Sequence, residues 1–296
     1  MPLPAYSQVA VINQSTVVSD ADGTSIVSAL NSLLPTFCKD WSIQNTNAIY
    51  VPLRSRTIPS SNYRVFILDT TEPQSSLTND TAVSDIPSAK VYAKVNALNG
   101  GVTLYEPTRT KQTLAQAVSH EVFEMLADTK SVNWWMNINN ACLFAGEVVD
   151  PVEANVTVVR LPSGVTVGMS DWILPAWSDV RNTAGPFNHL DTLVSPFSLS
   201  TTGYSLCIKN GKMTVIYGSA VTPANKIIYS SRVRSITRAN STIPVSTPEP
   251  PPVTKTMTLF PIVTPSQMGL TGPFVTPAYS GPRGATGATG ASSSSK

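Results

Sequence analysis

Apolar positions keep a helical period in two stretches of the chain and a strand period in several others. Ile26, Val27, Leu30, Leu33, Leu34, Phe37 and Trp41 follow the 3.6-residue repeat, which predicts an amphipathic helix that tolerates Pro35 near its end. Before it, Val9-Ala10-Val11-Ile12 reads as a short buried strand, with polar turn residues over 16–23 between the two. Ala48-Ile49-Tyr50-Val51, Arg64-Val65-Phe66-Ile67-Leu68 and residues 90–95 are further strand candidates, rich in β-branched and aromatic side chains. Residues 69–88 read as loop, and Asn99-Gly100-Gly101 as a turn. A second helical run spans residues 111–128, with Val118, Val122 and Met125 turned toward a core.

Past residue 130 the pattern changes to hairpins. Val156-Thr157-Val158-Val159 and Val165-Thr166-Val167 flank Pro162-Ser163-Gly164. Leu206-Cys207-Ile208 and Met213-Thr214-Val215-Ile216-Tyr217 flank Asn210-Gly211, a pair that accepts the positive φ values of a tight turn. Residues 227–236 predict an edge strand blunted by Arg232, Arg234 and Arg238. The sum is an α+β domain over residues 1–240, a mixed sheet with one motif-bearing helix and hairpins.

From residue 241 the composition shifts. Thr247-Pro248-Glu249-Pro250-Pro251-Pro252 predicts an extended, polyproline-like stalk within a linker at 241–268. Residues 269–296 follow as a tail in which Gly281, Gly284, Gly287 and Gly290 hold every third place, in phase with Gly269 and Gly272. A collagen triple helix demands that spacing because only glycine fits at its axis, and a triple helix implies a homotrimer.

Composition narrows the function. The chain of 296 residues is 42% hydrophobic and 13% charged, with a net charge of +2. Basic residues are scattered, so nucleic acid is not an expected partner. No run of eighteen apolar residues and no charged n-region followed by an apolar core occurs, so neither a membrane span nor a signal peptide is expected. Cys38, Cys142 and Cys207 are odd in number and far apart, which predicts buried free thiols.

Against that low charge, Ser119-His120-Glu121-Val122-Phe123-Glu124-Met125-Leu126-Ala127-Asp128 gathers one of the two histidines and three carboxylates. On a helix, His120, Glu124 and Asp128 fall at i, i+4 and i+8, on one face. The stretch is therefore either a ligand-bearing helix or a helix with an acidic stripe. As a metal site it offers His120 and Glu124 from adjacent turns, with Glu121 placed where H-E-x-x-H sites keep a general base. A third ligand would come from Asp128 or from Glu147-Val148-Val149-Asp150-Pro151-Val152-Glu153, Glu147 and Asp150 above all. One imidazole among several carboxylates is a harder ligand set than that of a usual peptidase site, so calcium or a purely structural metal is kept beside zinc. His189 reads as a packing residue in an aromatic loop, and Trp134, Trp135, Trp172 and Trp177 as core and pocket walls.

The decapeptide, followed by Gly146-Glu147-Val148-Val149-Asp150-Pro151-Val152-Glu153, by Val167-Gly168-Met169-Ser170-Asp171-Trp172-Ile173-Leu174-Pro175-Ala176-Trp177 and by Thr202-Gly203-Tyr204, resembles a family of largely uncharacterised, zincin-like proteins from bacteria and tailed phages. The resemblance covers roughly residues 8 to 210. It implies a zincin-like fold with a metal on His120 and Glu124 and with Glu121 as base. Thr129 stands where that pattern has proline, and Val149 where it has cysteine. The tail resembles those of phage and large-virus fibre proteins. Together these imply a virion-associated structural or adhesive protein, partnered by other virion proteins and by a host cell surface. The alternative they imply is an active metal-dependent peptidase or hydrolase.

Overall fold

The structure is a computed structural model, and it describes residues 7–55, 63–69, 91–97, 103–106, 112–129 and 133–226. All of these belong to one compact unit spanning Met1–Pro244. The Asn99-Gly100-Gly101 turn, the edge strand at 227–236, the Pro-rich linker and the glycine-repeat tail lie outside the described residues.

The first half is a parallel sheet. β1 (Ser7–Asn13) leads through helix α1 (Asp20–Asp40) into β2 (Thr46–Val51), which lies parallel beside it, and β3 (Tyr63–Leu68) and β4 (Val91–Asn96) add on β1's other side. The order is β2-β1-β3-β4. Val9, Val11, Val65, Ile67 and Val95 are fully buried, as the interior of a covered parallel sheet requires. Helix α1 begins where Ser19 accepts a hydrogen bond from the Asp22 N–H, seven residues ahead of Ile26, where the hydrophobic run starts. It carries Pro35 within it and sets Ile26, Leu30, Leu34 and Phe37 against the sheet at 0% exposure.

The second helix, α2 (Leu114–Ala127), is capped by a Thr113–Gln116 box in which each side chain takes the other residue's backbone N–H. Its residues from Leu114 to Phe123 are all buried. A helix enclosed on every side must have every side covered. β3 and β4, helix α1 and the hairpin of β7 (Val156–Arg160) and β8 (Thr166–Ser170) provide that cover. Ser119 seals the contact with β8: its hydroxyl accepts the Ser170 N–H at 2.8 Å, and the Ser170 hydroxyl donates to the Gln116 carbonyl. Phe123 stacks on Phe37 of α1 with centroids 4.6 Å apart and tilts against Trp172 at 4.9 Å.

The remaining strands form an antiparallel sheet ordered β10-β9-β6-β5, from β5 (Trp134–Asn137), β6 (Cys142–Ala145), β9 (Tyr204–Lys209) and β10 (Lys212–Tyr217). Asn210 and Gly211 turn the last hairpin with φ of 52° and 70°. The mixed sheet expected from the sequence is thus divided into a parallel sheet and an antiparallel one within an α+β domain. The β5–β6 hairpin was not anticipated, since Trp134 and Trp135 stand among asparagines without a clear alternation.

The expectation of three free thiols is corrected. Cys142 and Cys207, on adjacent strands with Cα atoms 6.0 Å apart, form a disulfide, and Cys38 is free and buried. Sixty-five residues of sequence separate the pair, and only the β6–β9 pairing brings them together.

Candidate metal centre

The centre forms where α2 meets the turn that follows β6. His120 and Glu124 stand one helical turn apart on α2, and Asp150 opens a short 3-10 turn, Asp150–Val152, with Pro151 at its start. That turn is pinned from behind. The Pro151 carbonyl accepts the Ser200 N–H at 2.9 Å, and it lies so close to Gly203 that a Cβ there would sit 2.0 Å from the carbonyl oxygen. Any side chain at position 203 would displace the turn that carries Asp150.

Around His120 four side chains converge. Glu124 Oε2 lies 3.1 Å and Asp150 Oδ1 3.4 Å from Nε2, while Glu153 Oε2 lies 3.2 Å and Gln112 Nε2 3.3 Å from Nδ1. Glu124 is also steadied by the Val149 N–H, which donates to its Oε1 at 3.4 Å. His120, Asp150 and Glu153 form one group whose ligand atoms all lie within 4.8 Å of one another, and His120, Glu121 and Glu124 form a second. The setting is dry: His120 is 0% exposed, Asp150 1%, Glu121 2% and Glu153 8%.

Nε2 of His120 and Oε2 of Glu153 are buried, yet neither has a partner in hydrogen-bond geometry. Carboxylates approach both ring nitrogens off the line that a shared proton would require. A buried polar atom left in that state costs roughly 1–3 kcal/mol, whereas a divalent cation among the same atoms would satisfy it. The donor set therefore fits a metal ion. Burial by itself opposes the charged imidazole most strongly, but the negative charges of Glu124 and Glu153, with Asp150, overcome it and hold His120 well above the ordinary histidine range. The centre thus attracts positive charge, as a proton or as a metal.

The sequence-derived candidates separate here. His120, Glu121, Glu124 and Asp150 come together, and Glu153 joins them. Asp128 and Glu147 fall in neither group. Asp128 is the C-cap of α2, with φ −132° and ψ 69°, so the helical spacing that aligned it with His120 has already ended. Its carboxylate instead accepts the Asn133 N–H at 2.8 Å. Glu153 belonged to the acidic cluster in the sequence, but the 3-10 turn that aims it could not be read there. Gln112 carried no signal at all. His189 packs as expected, stacked on Trp172 with centroids 3.9 Å apart.

No family model matches this chain, and no curated protein matches it. A solved structure, homoserine dehydrogenase from S. aureus, aligns over 83% of this chain and 79% of its own at 12% identity, with a TM-score of 0.19. That likeness is too slight to carry an argument about fold or activity. Among the described residues no helix is long and apolar enough to cross a membrane.

Proposed function

We propose that this chain is a virion-associated structural or adhesive protein that presents a zincin-like, metal-binding domain on a Pro-rich stalk and a trimerising, collagen-like tail. The observation that carries the metal part is the convergence of Glu124, Asp150 and Glu153 on the buried imidazole of His120. In that reading zinc sits at His120 among the carboxylates that converge on it, Asp150 and Glu153 in one group and Glu124 with Glu121 in the other. The metal would tie α2 to the turn after β6, as a structural ion does when its ligands come from distant segments. The particle part is supported by the glycine repeat at 281–290 and the proline run at 247–252. A disulfide also suits a protein that works on a particle surface.

A hydrolase is the second reading, favoured by the placing of Glu121 beside His120 and Glu124. There zinc would supply an activated water and Glu121 would hold its proton. The burial of His120, Asp150 and Glu121 weighs against it, because a hydrolase must bring its substrate to these groups. Light scattering tests the particle reading: the full chain is expected to be trimeric and a chain ending at residue 240 monomeric. A monomer in both cases contradicts it. Peptide hydrolysis that disappears in Glu121→Gln while metal content is kept would establish the hydrolase instead.

A further inference from the structure

The metal reading leaves one neighbour of His120 without a role. Gln112 stands immediately before the Thr113 cap of α2, and its side-chain amide meets Nδ1 of His120 at 3.3 Å in hydrogen-bond geometry. Glu153 comes as near to the same nitrogen, at 3.2 Å, but off the line of a hydrogen bond. The pairing follows from the helix. Side chains on α2 lean toward its N-terminus, so the imidazole is delivered back toward the residue that precedes the cap, and the Thr113–Gln116 box fixes where that residue sits.

An imidazole that turns the lone pair of Nε2 toward a cation carries its proton on Nδ1, and that proton needs an acceptor. A glutamine amide can serve: its NH2 group faces Nδ1 as placed, and a half turn about the terminal bond brings its oxygen, which accepts, to the same position. It also adds no charge to a centre that already holds Glu124, Asp150 and Glu153 around one ring. On the far side, Nε2 is fully buried, lacks a hydrogen-bond partner and faces Glu124 and Asp150.

We propose that Gln112 is a positioning residue for the cation site: its amide oxygen accepts the Nδ1 proton of His120 and so commits Nε2 to the cation beside Glu124 and Asp150. The proposal rests on the metal reading above and adds to it the residue that orients the ring.

The test uses the full chain and zinc. Competition titration is expected to show Gln112→Ala binding zinc about tenfold to a hundredfold more weakly than wild type at the same stoichiometry, the loss typical when a ligating histidine loses its orienting partner. Gln112→Glu is expected to restore binding, since a carboxylate oxygen also accepts that proton. A substitution that merely loosened the fold would not be rescued in this way. Because the chain has two histidines, selective 15N labelling with His120→Ala as the assignment control reads the proton directly. Zinc-loaded wild type is expected to carry it on Nδ1 of His120. Equal affinity in wild type and Gln112→Ala, or a zinc-loaded His120 protonated on Nε2, overturns the role of Gln112 and leaves the metal centre standing. A wild-type chain that takes up no zinc overturns the centre and this proposal together.

Discussion

Nε2 of His120 lies 3.1 Å from Oε2 of Glu124, one turn further along α2, and the pair is closed off from the far side by Asp150, thirty residues on in the chain. Joining segments so far apart, a bound ion would stabilise the fold through mass action. With free zinc at a hundred times its Kd the gain is about 2.7 kcal/mol. Differential scanning calorimetry of wild type is expected to show the transition rise by several degrees with zinc and fall back with chelator. His120→Ala should show neither change.

The Cys142–Cys207 bridge closes a loop of 65 residues that contains the Asp150 turn, the β7–β8 hairpin and the Trp172 loop. A bridge across a loop of that length contributes about 2–4 kcal/mol. Urea unfolding of a Cys142→Ser, Cys207→Ser double variant is expected to show a loss of that size. Thiol labelling of the unfolded, unreduced chain should count one reactive cysteine, Cys38, where three would mean the bridge is absent.

Asp171 is the buried carboxylate that organises the loop after β8. It is 0% exposed and accepts the Asn155 and Asn188 side-chain amides together with the Trp172 and Leu190 backbone N–H groups. Burial pushes its carboxyl up, and those donors, led by Asn155 and Asn188, pull it back. Asp171→Ala strands the Trp172 and Leu190 N–H groups and leaves the Asn155 and Asn188 amides only Thr192 Oγ1, and chemical denaturation is expected to register a loss of at least about 3 kcal/mol. A loss under about 1 kcal/mol would mean that the loop has other supports.

Tyr50 supplies a pH dependence on the alkaline side. Burial first, and then its hydrogen bond to Asp20, push its hydroxyl up to about 12. In the unfolded chain a tyrosine ionises near 10. The folded form therefore holds the proton more tightly, so the contribution of Tyr50 to stability is complete below about pH 10 and is lost as the pH rises through its folded value. Unfolding of wild type and Tyr50→Phe, compared from pH 9 to pH 12, is expected to show wild type losing more stability over that span. Parallel slopes would contradict the assignment.

Helix α2 was the most legible feature of the sequence, because His120 and Glu124 follow helical spacing and the apolar positions around them share the period. Both helices and the two hairpins at Pro162-Ser163-Gly164 and Asn210-Gly211 were legible for the same reason, being local patterns. What escaped depends on contacts between distant residues. Asp128 kept the right spacing, but the helix ended one residue before it. Glu153 was visible as one acid among several, and the turn at Asp150–Val152 chose it over Glu147. The disulfide and the part played by Gln112 exist only once β6 meets β9 and the cap of α2 meets His120.

The central claim is that His120 and the carboxylates converging on it hold a metal ion, and the most direct measurement is metal content per chain by elemental analysis after zinc loading and desalting. About one zinc in wild type and a negligible amount in His120→Ala is the result expected. Equal content in the two proteins, whether negligible or not, would contradict it.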